Sequence, residues 1–151
     1  MDDVVASHDG LINFEEETTP ADSARLADLL YEYNVKQTGL TDGRRFGLYL
    51  RDDDDQIVGG VDGWTWGGTC FIATLFVPEA HRRAGLGTRL MKRVEDEAQR
   101  RGCRRMMVRT DDYQAPDFYW KLGYELVADV VYVAHHHELT FLKHLQPLSG
   151  Q

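Results

Sequence analysis

Apolar residues recur along this chain at two spacings, one helical and one strand-like. Leu86, Leu90, Val94 and Ala98 return every four residues, which places them on one face of a helix over 84–101, closed by Gly102. Leu26, Leu29, Leu30 and Tyr33 form a second helical stripe. A threonine cap (Thr19), a proline at the first helical position (Pro20) and an acid near the positive end of the dipole (Asp22) start it, and Gly39 stops it. A short third helix is expected over 115–122, before Gly123. Between them, Phe46, Leu48 and Leu50 alternate with Gly47 and Tyr49, as one face of a strand does. Further strands are predicted over 57–66, 69–77, 104–109, 124–132 and 136–145, with a weaker strand pattern over 11–17. The four aspartates 52–55 and the pair Gly67-Gly68 mark hairpin turns. The run from Phe71 to Val77 reads as a buried strand, ended by Pro78, which has no N–H to give to a ladder.

This order of elements predicts a single α/β (α+β) domain over 1–151. Its sheet is mixed and mostly antiparallel, with helices on both faces, and loose polar tails are expected at 1–10 and 146–151. At 151 residues the chain is long enough to bury a core. No apolar run approaches the ~20 residues that span a bilayer, so no membrane partner is expected. The acidic start Met1-Asp2-Asp3 lacks the apolar stretch of a signal peptide. Cys70 and Cys103 fit no metal spacing and read as reduced, buried thiols of a cytoplasmic protein.

Charge is distributed unevenly. Residues 82–109 hold 10 of the 17 Lys and Arg but 3 of the 25 Asp and Glu, so this segment carries +7 and the remainder −15. A basic patch on an acidic body suits an anionic ligand on one side and a cationic one elsewhere. It lacks the footprint of a nucleic-acid binder.

The basic segment begins in a loop with candidate chemistry. After the strand come Arg82, Arg83, Ala84, Gly85, Leu86, Gly87 and Thr88, and then the long helix. The first N–H groups of a helix have no internal partner, and the dipole favours negative charge there, so the loop reads as a phosphate or pyrophosphate site. A P-loop needs Lys-Ser/Thr after its last glycine, whereas Thr88 and Arg89 follow Gly87. A dinucleotide fingerprint needs a third glycine where Leu90 stands, although Asp111 lies at the right distance for a ribose-binding acid.

A third pattern fits fully. Arg82-x-x-Gly85-x-Gly87 after a strand ending Leu75-Phe76-Val77 resembles the acetyl-CoA pyrophosphate loop of the GNAT superfamily of N-acetyltransferases. Further on, Ala115-Pro116-Asp117-Phe118-Tyr119-Trp120-Lys121-Leu122-Gly123-Tyr124 is similar to that family's Ala-x-x-Phe-Tyr-x-Lys-x-Gly-Phe/Tyr element. The resemblance covers roughly 11–145. It implies an acetyl-CoA-dependent acyltransferase that needs no metal and acetylates a primary amine, of a small molecule or a peptide, by direct attack in a ternary complex. A non-catalytic acyl-CoA sensor or interaction module of the same fold is the alternative. It further implies that main-chain groups of Leu75 and Val77 pair with the pantetheine arm and that residues 82–88 hold the pyrophosphate. Tyr119 would be the acid that protonates the leaving thiolate, and activity would decline as pH rises towards ~10, where an ordinary tyrosine ionises. Dimers are common in that family, so a homodimer is an expectation.

Other residues leave alternatives open. Tyr124 is a second tyrosine near the site. Asp112 stands where many family members have a cofactor-contacting Asn. No carboxylate lies within Phe71-Ile72-Ala73-Thr74, where some relatives carry a base; Asp62, Glu79 and His137 are the candidates elsewhere. Residues 135–137 are all histidine. His135 and His137 would share a face if they lay on a strand, but two histidines without a third ligand make a poor zinc site. The four aspartates 52–55 lack the spacing and glycine of a calcium loop. Trp64 and Trp66 share a strand face, as core or as a platform for a cationic acceptor.

Overall fold

A computed structural model describes residues 9–147. The chain divides into two compact units, Met1–Gly39 and Leu40–Gln151. Of the tails expected at 1–10 and 146–151, residues 1–8 and 148–151 lie outside the described residues.

In the first unit, α1 spans Pro20–Thr38. Thr19 caps it as the sequence predicts, its hydroxyl accepting from the Asp22 N–H at 3.1 Å. Gly39 ends it in the left-handed conformation at φ 73°, donating to the Val35 carbonyl at 2.8 Å. The strand expected over 11–17 does not form. Asp9–Leu11 is one turn of 3-10 helix, irregular backbone follows, and Ile12 and Phe14 stay exposed. A strand must exchange hydrogen bonds with a neighbour, and the described residues of this unit contain no second strand.

The second unit is built on six strands: β1 Arg44–Arg51, β2 Ile57–Trp66, β3 Thr69–Phe76, β4 Arg105–Asp111, β5 Glu125–Val131 and β6 His137–His144. Their order in the sheet is β1-β2-β3-β4-β6-β5, and all neighbours are antiparallel except β3 and β4. The parallel step is forced by the helix α2, Leu86–Arg100, which carries the chain from the end of β3 back to the start of β4. A shorter helix, α3, spans Pro116–Lys121. The sheet is therefore mixed and mostly antiparallel, as the alternation of patterns predicts.

The turns follow their chemistry. Asp52 Oδ1 accepts from the Asp54 and Gln56 N–H groups at 3.0 and 2.9 Å, which closes the β1–β2 hairpin. The core is one cluster, in which Leu90, Met91, Val94 and Ala98 of α2 and Tyr119 of α3 meet Val61, Ile72, Met106 and Phe141 of the sheet. Burying Leu90, Met91 or Val94 contributes about 1.5–3 kcal/mol each. Cys70 and Cys103 are free and buried in the same cluster. No helix among the described residues is long and apolar enough to cross a membrane.

Candidate active site

The central strands part company in the middle of the sheet. β3 pairs with β4 only from Thr69↔Arg105 to Ile72↔Val108. Beyond that, β3 continues along β2 to Phe76, while β4 continues along β6 to Asp111. The main-chain groups on the open side of Ala73–Phe76 thus lose their strand partner. Backbone donors and acceptors require partners, so this fork can accept an extended ligand as if it were a strand. Leu75, Phe76 and Val77 lie on one arm of it, and Leu75 and Val77 are half-buried.

The chain leaves the fork through Pro78, makes one 3-10 turn over Glu79–His81, and enters the basic loop. Arg82 turns back on this arm, its Nε donating to the Val77 carbonyl at 2.9 Å and its guanidinium lying 6.0 Å from the centre of the Phe76 ring. Arg83 holds a left-handed backbone at φ 66°, a conformation that costs a residue with a Cβ about 1–2 kcal/mol. Gly85, at φ 73°, is the N-cap of α2. No side chain caps this helix and no acid lies in its first turn. Its first internal bond runs from the Arg89 N–H to the Gly85 carbonyl, which leaves the Leu86, Gly87 and Thr88 N–H groups without an intrahelical acceptor. Arg83, Arg89 and Arg93 make no ion pair among the described residues, whereas Lys92, Arg100 and Arg101 further along α2 pair with Asp96 and Glu97. Free positive charge is concentrated at the start of the helix.

The two glycines of the loop have different reasons. A Cβ on Gly85 would meet nothing within 4 Å, so its requirement is conformational. A Cβ on Gly87 would meet the Phe118 ring at 3.3 Å and Val77 Cγ2 at 3.7 Å. The missing side chain of Gly87 lets the helix start sit against α3; that packing was not legible from spacing.

Tyr119 is buried in a cage of rings, 5.6 Å from Phe141, 5.7 Å from Tyr124 and 5.2 Å from Phe118. Its hydroxyl makes no hydrogen bond among the described residues, yet it is not sealed from solvent. Burial pushes its pKa up to about 12. The activity decline expected near ~10 presumes an ordinary tyrosine, whereas this phenol stays protonated above that range. Tyr124 is not available for the same work. Its hydroxyl donates to Glu95 Oε1 at 3.1 Å, and burial, followed by the neighbouring Glu95 charge, raises its pKa strongly. Lys143 of β6 donates to both oxygens of the same Glu95 at 3.0 Å. This buried acid on α2 ties the helix to the start of β5 and to β6; the sequence stripe of apolar residues passed over it.

Asp112 and the histidines serve the far end of β4. Asp112 accepts from the His136 ring at 3.0 Å and from the His137 N–H at 3.1 Å. Burial works against its ionisation, but these hydrogen bonds outweigh it and hold its pKa below the usual value. His137 bonds to Asp129 across the β5–β6 pair, and that bond raises its pKa. His135 lies in the turn before β6, so it shares no strand face with His137. Glu79 is exposed on the 3-10 turn. Asp62 is different: it sits in mid-strand on β2, and its Oδ1 is buried without a hydrogen-bond partner among the described residues.

Two open clefts flank β1. One of about 390 Å³ lies between Leu48 and Leu50 of the strand and Leu86, Arg89 and Arg93 of α2. The other, about 350 Å³, lies over Asp62 and Trp64.

The chain matches the sequence profile of the acetyltransferase (GNAT) family over residues 10–124. It is 30% identical over 118 residues to acetyltransferase Atu2258 of Agrobacterium fabrum, covering 78% of this chain and 86% of that protein. Its fold superposes with a TM-score of 0.70 on the crystal structure of an acetyltransferase from Bacillus cereus, at 26% identity, over 88% of this chain and 98% of the other. It also resembles the fold of an aminoglycoside 6'-N-acetyltransferase crystallised with coenzyme A, with a TM-score of 0.59 at 20% identity, over 90% and 97% of the two chains.

Proposed function

This chain belongs to the GNAT family of acetyltransferases, and on that premise we propose that it moves an acetyl group from acetyl-CoA to a primary amine by direct attack in a ternary complex. One observation carries the reading: the fork at Ile72/Val108 opens immediately before an uncapped, cation-rich helix start. An extended pantetheine arm satisfies the open side of Ala73–Val77. The pyrophosphate at its other end meets the N–H groups of residues 86–88 and the charges of Arg83 and Arg89. Arg82 braces the arm of the fork through the Val77 carbonyl, so its contribution to affinity is partly positional. That one neighbouring fold was crystallised with coenzyme A supports the choice of cosubstrate.

In this reaction the amine lone pair attacks the thioester carbonyl carbon. The C–N bond forms, the C–S bond breaks, and its electron pair stays on sulfur. The amine enters as the free base, since its ammonium form, with a pKa near ~10.4, has no lone pair to give; the proton leaves to solvent. The family resemblance assigns Tyr119 to the leaving group. With its pKa at about 12, full transfer of its proton to a thiolate whose conjugate acid lies near ~8.5 runs uphill. Its hydroxyl therefore stabilises the developing sulfur charge by donating a hydrogen bond, and solvent completes the protonation. This refines the acid role expected from the sequence.

The test is calorimetric titration with acetyl-CoA, followed by thiol release with butylamine, putrescine and an aminoglycoside as acceptors. Saturable binding and thiol release with at least one amine are expected. A folded chain that fails to bind acetyl-CoA overturns the proposal. Binding without thiol release from any amine returns the chain to an acyl-CoA sensor.

A further inference from the structure

Asp62 lies at an irregular point of the sheet. It pairs with Thr74, and the next residue, Gly63, pairs with Ile72, so β3 bulges at Ala73. This is one step past the place where β3 leaves β4. On its other side Asp62 faces Gly47 of β1. The room left by that glycine is taken by the Tyr49 ring, whose atoms lie 2.5 Å from where a Cβ would stand. Trp64, on the same strand, stacks on Phe71 at 5.3 Å and keeps 44% of its surface exposed. Asp62, Tyr49, Trp64, Ala73 and Arg45 line the cleft of about 350 Å³.

A carboxylate oxygen withdrawn from water without a partner is costly, and among the described residues nothing repays it. Arg45 makes no ion pair with Asp62. The unmatched acid and the half-exposed Trp64 call for the same thing, a cation; the Tyr49 ring already has the Arg51 guanidinium 6.0 Å from its centre and serves as a wall of the cleft. The cation is not the nitrogen that reacts. A carboxylate beside the attacking amine would hold its proton on and oppose attack. The group that suits Asp62 is a second amine that stays protonated through the reaction, and the fork lies one strand away, ~4.8 Å across the sheet.

We infer that Asp62, with Trp64 and Tyr49, forms the acceptor subsite of the enzyme and holds the non-reacting cation of a substrate with at least two amino groups. This rests on the transferase reading above. The acceptor class is thus an aliphatic diamine or a larger polyamine-like molecule, rather than a monoamine.

The test compares putrescine with butylamine, which share a carbon chain and differ in the second amine. The wild-type chain is expected to favour putrescine about ten- to a hundredfold in kcat/KM, the range of one charge-assisted hydrogen bond. Asp62→Asn, nearly isosteric, should raise the putrescine KM by that factor, the butylamine KM at most about twofold, and leave the acetyl-CoA Kd in place. Trp64→Leu, on the half-exposed face, should raise the putrescine KM several-fold and provides a second variant should Asp62→Asn fail to fold. Equal use of both amines by the wild type, or an unchanged preference in Asp62→Asn, overturns the assignment while leaving acetyl transfer standing. If neither amine is acetylated although acetyl-CoA binds, the transferase reading is in question separately. Calorimetry of putrescine on the CoA-loaded chain then decides the subsite: binding abolished by Asp62→Asn supports it, and no binding overturns it.

Discussion

Tyr119 shows how burial changes the work a residue can do. Its ring is locked between Phe141, Tyr124 and Phe118, while its hydroxyl is unbonded. Replacing it with Phe removes one donor and keeps the packing, so acetyl-CoA affinity should stay unchanged. kcat should fall about 10²–10³-fold, the loss seen when one preorganised donor to a developing charge is removed. The raised pKa favours the neutral form, so the hydroxyl remains a donor at every pH below about 12. The kcat profile should therefore lack a falling limb near the ordinary tyrosine value of ~10. A wild-type kcat in Tyr119→Phe would return the residue to the core, and a tyrosine-dependent fall in activity near pH ~10 would show its hydroxyl to be solvated. The motif named this residue. It did not name Glu95, whose carboxylate joins Tyr124 and Lys143, because an acid beside Val94 on the apolar stripe looks like surface until its partners from other strands are seen. Asp62 was legible only as one carboxylate among several. What distinguishes it is an Oδ1 without a hydrogen-bond partner among the described residues, which depends on β1 and β3 together.

At the scale of the element, the loop and the start of α2 are where sequence and structure agree most closely. Gly85 was legible from the Arg82-x-x-Gly85-x-Gly87 pattern, while its left-handed cap at φ 73° was not, because the helix expected from residue 84 starts at Leu86. Asn and Asp both tolerate that conformation better than other side chains and have nearly the same shape. Gly85→Asn and Gly85→Asp should therefore fold alike, and the added negative charge should make the Asp variant bind acetyl-CoA at least about tenfold more weakly than the Asn variant, a difference within the reach of a helix-terminus charge plus neighbouring arginines. Equal affinities by calorimetry would move the pyrophosphate away from this helix. Gly87 obeys a different rule, contact with Phe118 on α3, and no local spacing reveals a neighbour supplied by a segment thirty residues on. The misread strand at 11–17 fails for the same reason: alternation proposes a strand, but only a partner strand completes it.

For the second unit as a whole, the mixed, mostly antiparallel character of the sheet was predictable because turns, periodicity and a single long helix permit few connections, although the order of its strands was not read. The fork was not, since nothing in Ala73–Phe76 or in Arg109–Asp111 marks the point where the two strands separate. Its position follows from pairing, not composition. The consequence is mechanical. The six strands form two three-stranded leaves, β1-β2-β3 and β4-β6-β5, sewn together along the sheet only between Thr69–Ile72 and Arg105–Val108. Such a seam is the weak line along which the sheet opens, and the leaves need not open together. A ligand laid into the fork lengthens the seam and stabilises the joined form by mass action. Amide hydrogen exchange should show this as a gain in protection on both arms at once, over 73–77 and 109–111, when acetyl-CoA is added, with the outer strand β5 least affected. Protection confined to one arm would mean that the cosubstrate rests on a single leaf. With protection gained on both arms, the acetyl donor acts as more than a reagent: it is the stitch that turns two leaves into one cooperative sheet, and each turnover ends with that stitch pulled out.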